Sequence, residues 1–192
     1  KLIDNELPIF GAFYDSGNNY YVLSGQENPK QNDSLEVFRI TKYDKNWNKI
    51  KSCGLYGANT TVPFDAGSAR MTHSGDHLLV RTCHEMYKSS DGNNHQSNVT
   101  IEVDMPSMTI TDSYTGVMNV AYGYVSHSFN QFIKTDGTHI VALDHGDAHP
   151  RSAVLVKYNS DFTTGKFFPS YSQKGGNVDV VTYPEYTSGH YN

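Results

Sequence analysis

Gly75-Asp76-His77-Leu78-Leu79-Val80, followed after a polar stretch by Val99-Thr100-Ile101-Glu102-Val103-Asp104, decides how this chain is read. A turn glycine opens an apolar run. The second run then alternates Val99, Ile101 and Val103 with Thr100, Glu102 and Asp104, as a strand with two unlike faces does. The same pair of runs occurs twice more. Gly17-Asn18-Asn19-Tyr20-Tyr21-Val22-Leu23 is followed by Val37-Phe38-Arg39-Ile40-Thr41-Lys42-Tyr43-Asp44. Gly137-Thr138-His139-Ile140-Val141-Ala142-Leu143 is followed by Val154-Leu155-Val156-Lys157-Tyr158-Asn159. The turn glycines stand 58 and then 62 residues apart, each behind a turn residue, Ser16, Ser74 or Asp136.

Each unit has two further strands. One precedes the turn: Ile9 to Tyr14, Ser68 to Thr72 and Phe129 to Ile133. The other follows a second tight turn: Trp47 to Lys51, Met108 to Asp112 and Phe162 to Phe167. Residues 34–47 read alone would suit a helix, but their repeat partners alternate or are β-branched. The expected fold is therefore all-β: about three four-stranded antiparallel blades, at residues 8–53, 66–114 and 127–168, of a β-propeller. Residues 175–192 read as the start of a further unit or a tail. Three blades do not close a ring of the usual four to eight, so another segment or another copy is expected to close it.

Composition agrees. Hydrophobic residues make up 37% and charged residues 18%, with 14 tyrosines, so polarity rests on uncharged side chains suited to turns and strands. The net charge of −5 and the absence of a basic patch speak against nucleic acid as a partner, and no apolar run suits a membrane-spanning helix. Cys53 and Cys83, without a CxxC neighbour, argue against a thiolate zinc site. They read as small buried residues, with a disulfide as the alternative. The first residues, Lys1-Leu2-Ile3-Asp4, read as the start of an excised or processed piece.

The repeat resembles the blades of β-propellers in bacterial secreted and surface proteins. Val125-Ser126-His127-Ser128-Phe129-Asn130-Gln131-Phe132 and Asp144-His145-Gly146-Asp147-Ala148-His149-Pro150-Arg151 are similar to segments of uncharacterised extracellular proteins of anaerobic gut bacteria. That resemblance implies an extracellular or cell-surface location and no particular activity.

Candidate ligand residues cluster in the connection between the second and third strands of each unit. Glu27, Glu85 and Asp147 share one repeat column and would form an acidic ring able to meet a cation or sugar hydroxyls. His145, Asp147 and His149 alternate, and two imidazoles with a carboxylate suit a first-row metal, with His84 or His127 as a further ligand. The plainer reading is a hydrogen-bonded loop in which Arg151 pairs with Asp144 or Asp147. No cofactor is otherwise expected. A catalytic alternative gathers His127, His84, Tyr122, Tyr124, Arg70 and Glu85 as acid, base and anion-binding groups for a polysaccharide lyase or hydrolase, although no GxSxG or HExxH is present. Trp47, Met108 and Phe162 recur at one turn, which marks them as repeat core. The function expected is binding of a carbohydrate or protein partner, with completion of a larger propeller, or a homo-oligomer, as the structural alternative.

Overall fold

A computed structural model describes residues 2–120, 123–125, 128–135, 139–146, 152–159 and 176–182. All regular structure among them is β. The first sheet is a meander of β1 (Ile9–Asp15), β2 (Tyr20–Gly25), β3 (Glu36–Tyr43) and β4 (Lys49–Tyr56). The second runs through β6 (Arg70–Ser74), β7 (His77–Lys88), β8 (Asn94–Asp104) and β9 (Thr109–Tyr114), and β5 (Thr60–Pro63) joins the same edge of β7 beyond β6. A short hairpin of β10 (Met118–Val120) and β11 (Gly123–Val125) leads to the third sheet. That sheet holds β12 (Ser128–Thr135), β13 (His139–Gly146), β14 (Ser152–Asn159) and β15 (Gly176–Thr182). Every pairing is antiparallel, and the first strands touch in succession, β1 against β6 and β6 against β12. Successive four-stranded meanders joined through their first strands are blades of a propeller.

Two boundaries differ from the expectation. Gly176–Thr182 is the fourth strand of the third sheet, paired with β14 from Ser152 to Tyr158, and not the opening of a further unit. The Phe162 to Phe167 stretch lies outside the described residues. The stretch from Cys83 to Asn98 is not a long loop. β7 and β8 run on to Lys88 and back from Asn94, with a turn at 89–93. The extension holds because β5 supplies hydrogen bonds along the other edge of β7, pairing Pro63 with His84 and Thr60 with Met86.

The turns obey simple stereochemistry. Gly17 and Gly75 adopt φ of 90° and 54° at the tips of the β1–β2 and β6–β7 hairpins, a region costly for residues with a Cβ. At the β3–β4 turn the Asp44 carboxylate accepts from the amides of Asn46 and Asn48 at 2.8 Å. Asp104 does the same for Ser107 at the β8–β9 turn. Each turn ends on a large residue at positive φ, Trp47 at 62° and Met108 at 50°.

β7 and β8 are buried on both faces because a sheet lies on either side. Toward the first sheet, Met71, Leu78, Val80, Val99, Ile101, Val103 and Met108 pack against Ala12, Tyr21, Leu23, Phe38 and Ile40. Toward the third sheet the contact is more polar. Gln131, fully buried, accepts from the Ser68 amide at 2.8 Å and donates to Asn98 at 3.3 Å. Thr100, Arg81 and Glu102 are buried there too, and Glu102 lies 2.7 Å from His77.

Candidate functional site

The hairpins β1–β2 and β6–β7 place their tips side by side at one end of the first two blades. The β8–β9 turn lies beside them. Between them is a cleft of about 150 Å3, lined by Ser16, Asn19, Tyr21, Lys42, His73 and Asp76 among others. By volume it holds about five waters, or one face of a small polar ligand.

Its groups are set by strand register. Tyr21 points from β2 into the space between the sheets and is fully buried, yet its hydroxyl has no hydrogen-bond partner. Burial, helped by the Asp76 carboxylate and only partly offset by the nearby Ser16 hydroxyl, which donates to Asn19 and stands outside hydrogen-bond geometry to the phenol, pushes its pKa up to about 12, so the phenol stays protonated. Lys42, from β3, donates one hydrogen bond to the Met105 carbonyl at 2.9 Å, and an ammonium has three protons to give. His73, from β6, shares a 2.7 Å hydrogen bond between its Nδ1 and the Tyr14 hydroxyl, which leaves Nε2 for another contact. The Ser16 hydroxyl is committed to the Asn19 carbonyl, and the Asn19 amide donates to Tyr43. The cleft thus offers an ammonium, a carboxylate, an imidazole and an orphaned phenol within one small volume.

The sequence-predicted residues fare differently. Glu27 is exposed in the β2–β3 connection. Glu85 is in strand β7 and not in a loop, where its carboxylate accepts from the Thr61 hydroxyl at 2.7 Å. His84 is a satisfied core residue. Its Nδ1 meets the Thr60 hydroxyl at 2.6 Å, and its Nε2 meets the Ser97 hydroxyl at 2.7 Å and the Thr115 carbonyl at 3.0 Å. Burial lowers its pKa to about 4, against a smaller opposite pull from the Thr115 carbonyl. Arg70 is exposed on β6, its guanidinium 5.8 Å from the Phe132 ring centroid. Arg70 pairs with Arg81, and His84 lies three residues beyond Arg81 on β7, so the two side chains leave opposite faces of the sheet and do not assemble into one catalytic set.

His145 is in β13, paired with Ala153, and Tyr124 is in β11, paired with Asn119. Tyr122, His127, Asp147, His149 and Arg151 lie outside the described residues. Among the described residues no three of His, Cys, Asp and Glu gather to hold a metal ion. Cys53 and Cys83 are free thiols. Cys83 is buried, its thiol donating to the Asp65 carbonyl at 2.8 Å, and Cys53 is half-buried, its pKa pushed up to about 12 by burial.

The cleft lies at the opposite end of the blades from the connections between second and third strands that hold the sequence candidates. Lys42, His73 and Asp76 belong to different strands and turns of two repeats. A signal did exist: in the repeat alignment Tyr21 takes the column of Leu79 and Val141, a polar tip in an apolar column.

No family profile matches this chain, and no curated protein matches it. A solved structure, a mutant of the GH43 protein BlXynB from Bacillus licheniformis, is similar over 79% of this chain, with 11% sequence identity and a TM-score of 0.44. The chain spans 28% of that protein's length. What stands from topology is an all-β chain of propeller blades.

Proposed function

We propose that this chain is a ligand-binding propeller module acting outside the cell or at its surface, and that the cleft between its first two blades takes a hydroxyl-rich ligand, a carbohydrate residue. The observation that carries this reading is the buried Tyr21 hydroxyl left without a partner in a polar cleft. A buried hydroxyl without a hydrogen bond costs about 1–3 kcal/mol, and because the Tyr21 hydroxyl is itself fully covered, a ligand hydroxyl recovers that cost by displacing the side chains over it. A sugar edge presents donors and acceptors side by side. It suits a set in which Lys42 donates, Asp76 accepts and Tyr21 can do either. The opposed charges of Lys42 and Asp76 favour a neutral ligand over an anion.

The test is titration with neutral and acidic oligosaccharides, followed by calorimetry and by amide chemical shifts. The expected result is binding with shifts at residues 16–21, 42 and 73–76, abolished by Lys42→Met and by Asp76→Asn. Shifts confined to the β2–β3 connections would overturn the site. Cleavage of the bound glycan would replace binding with catalysis.

A further inference from the structure

We infer that the outward faces of the first and third sheets are two halves of one interface, and that a second copy of this chain fills them head to tail. Gly17 and Gly75 occupy one column, and the strand registers then align Phe13 with Met71, Tyr20 with Leu78, Val22 with Val80, Tyr43 with Val103 and Trp47 with Met108. In the second sheet every member of that set, Met108 at the flanking turn included, faces the first sheet and is buried in the core. In the first sheet the same columns face away from the second.

There they form an aromatic surface. Trp47 lies 4.6 Å from Tyr20, 5.7 Å from Phe13 and 5.8 Å from Tyr43, between ring centroids. Phe13 remains 47% exposed. The positive φ shared by Trp47 and Met108 shows that both turns aim a large residue at the same kind of face.

The third sheet presents the complementary columns. Phe132 pairs with Leu143, Lys134 with Val141, and Leu143 with Leu155. These are the columns of Ala12, Leu23, Tyr21 and Ile40, which in the first sheet are the surface that receives the second sheet. Phe132 and Leu143 are 48% and 41% exposed. The first and third sheets therefore present a donor face and an acceptor face of the same blade-on-blade contact. Two copies joined head to tail engage both pairs of faces at once and close a six-bladed ring, within the known range. Strand spacing and rise give each face roughly 19 Å by 20 Å, so two faces per copy approach the ~800 Å2 per partner of a standard interface.

The residues before β1 now cover part of the first face. Glu6 pairs with Arg39 at 3.3 Å and with Lys49 at 2.6 Å, and Leu7 is buried. Ser24, the register partner of Arg39, and Thr41 are buried on that face with hydroxyls that find no partner. This cover is an incomplete fit, held by ion pairs that salt weakens.

The test is the mass of the chain in solution by light scattering and sedimentation, as a function of concentration and salt. The expected result is a dimer of twice the 21.5 kDa chain mass. Trp47→Asp and Leu143→Asp should each weaken association roughly thirtyfold or more, as loss of an interface anchor does. Mixing the two variants should restore a dimer, because one intact donor face then meets one intact acceptor face. Circular dichroism confirms that each variant folds, and Phe13→Ser and Phe132→Asp serve if one does not. A monomer at all concentrations overturns the inference and leaves the faces to further blades on one polypeptide. A dimer sensitive to Trp47→Asp but indifferent to Leu143→Asp overturns it in favour of a symmetric contact. Loss of glycan binding at the cleft with the dimer intact would refute the proposed function and leave this inference standing.

Discussion

Acidification between pH 7.5 and 4 should destabilise the chain chiefly through His84, the depressed carboxylates Asp15, Asp91 and Asp104 adding their loss at the acid end. The His84 ring is fully buried and neutral, with Nε2 donating to the Thr115 carbonyl and Nδ1 facing the Thr60 hydroxyl. Protonation would not break these hydrogen bonds, since the Thr60 hydroxyl can turn its proton to the Ala58 carbonyl 2.9 Å away. The cost is burial of the charge, which lowers the pKa from 6.5 to about 4. A folded-state pKa below the unfolded value means that the unfolded chain binds the proton first. Stability from this group is complete above the unfolded pKa and is lost as pH falls toward the folded one. Linkage gives a loss of about 2 kcal/mol at pH 5 and about 3 kcal/mol at pH 4. Urea unfolding at pH 7.5, 5 and 4, on the wild type and on His84→Gln, measures it. The variant should be weaker at pH 7.5 but flatter by those amounts. A parallel pH dependence in both proteins, or an imidazole resonance of His84 titrating near 6.5, would refute the argument.

Three further outcomes follow from the packing. Gly57→Ala should destabilise by roughly 1–3 kcal/mol in thermal or urea unfolding; its φ is +60° and an added Cβ would sit 2.7 Å from the Asp33 backbone. Tyr21→Phe should leave stability unchanged or raise it by up to about 1 kcal/mol, because the hydroxyl removed is buried without a partner. The same change should weaken binding at the cleft, so loss of stability with retained binding would show that the hydroxyl is structural. Both thiols should resist alkylation at pH 8 in the native protein and react on unfolding. Cys83 is buried, and burial holds the Cys53 thiol protonated. Rapid native labelling of Cys53 would show that the first sheet opens.

The order of strands was legible because a repeat reports its own register. Once Gly17, Gly75 and Gly137 are aligned, period-two alternation names the faces, and antiparallel neighbours follow from turn lengths. That Leu78-Leu79-Val80 belong to a strand buried on both faces is a finding of the structure, where a sheet lies on either side. Legibility failed where a partner outside the repeat intervened. β5 is an insertion that belongs to no column, and by pairing with β7 it turned a polar loop into strand and made His84 a core residue. The fourth strand of the third blade lay farther along the chain than its counterparts, and only hydrogen bonding to β14 identifies it.

The sequence by itself determined the fold class, the repeat and the hairpin turns, because each rests on interactions between residues near in the chain. Tertiary structure alone decided which chemical groups meet. Lys42, Tyr21, His73 and Asp76 come from two blades, and nothing local in their spacing joins them. It also decided which apolar columns are core and which stay exposed. Met108 and Trp47 occupy one column of the repeat, yet one is covered by a neighbouring sheet and the other looks outward. A sequence column specifies a face, and only the neighbouring sheet determines whether that face is interior.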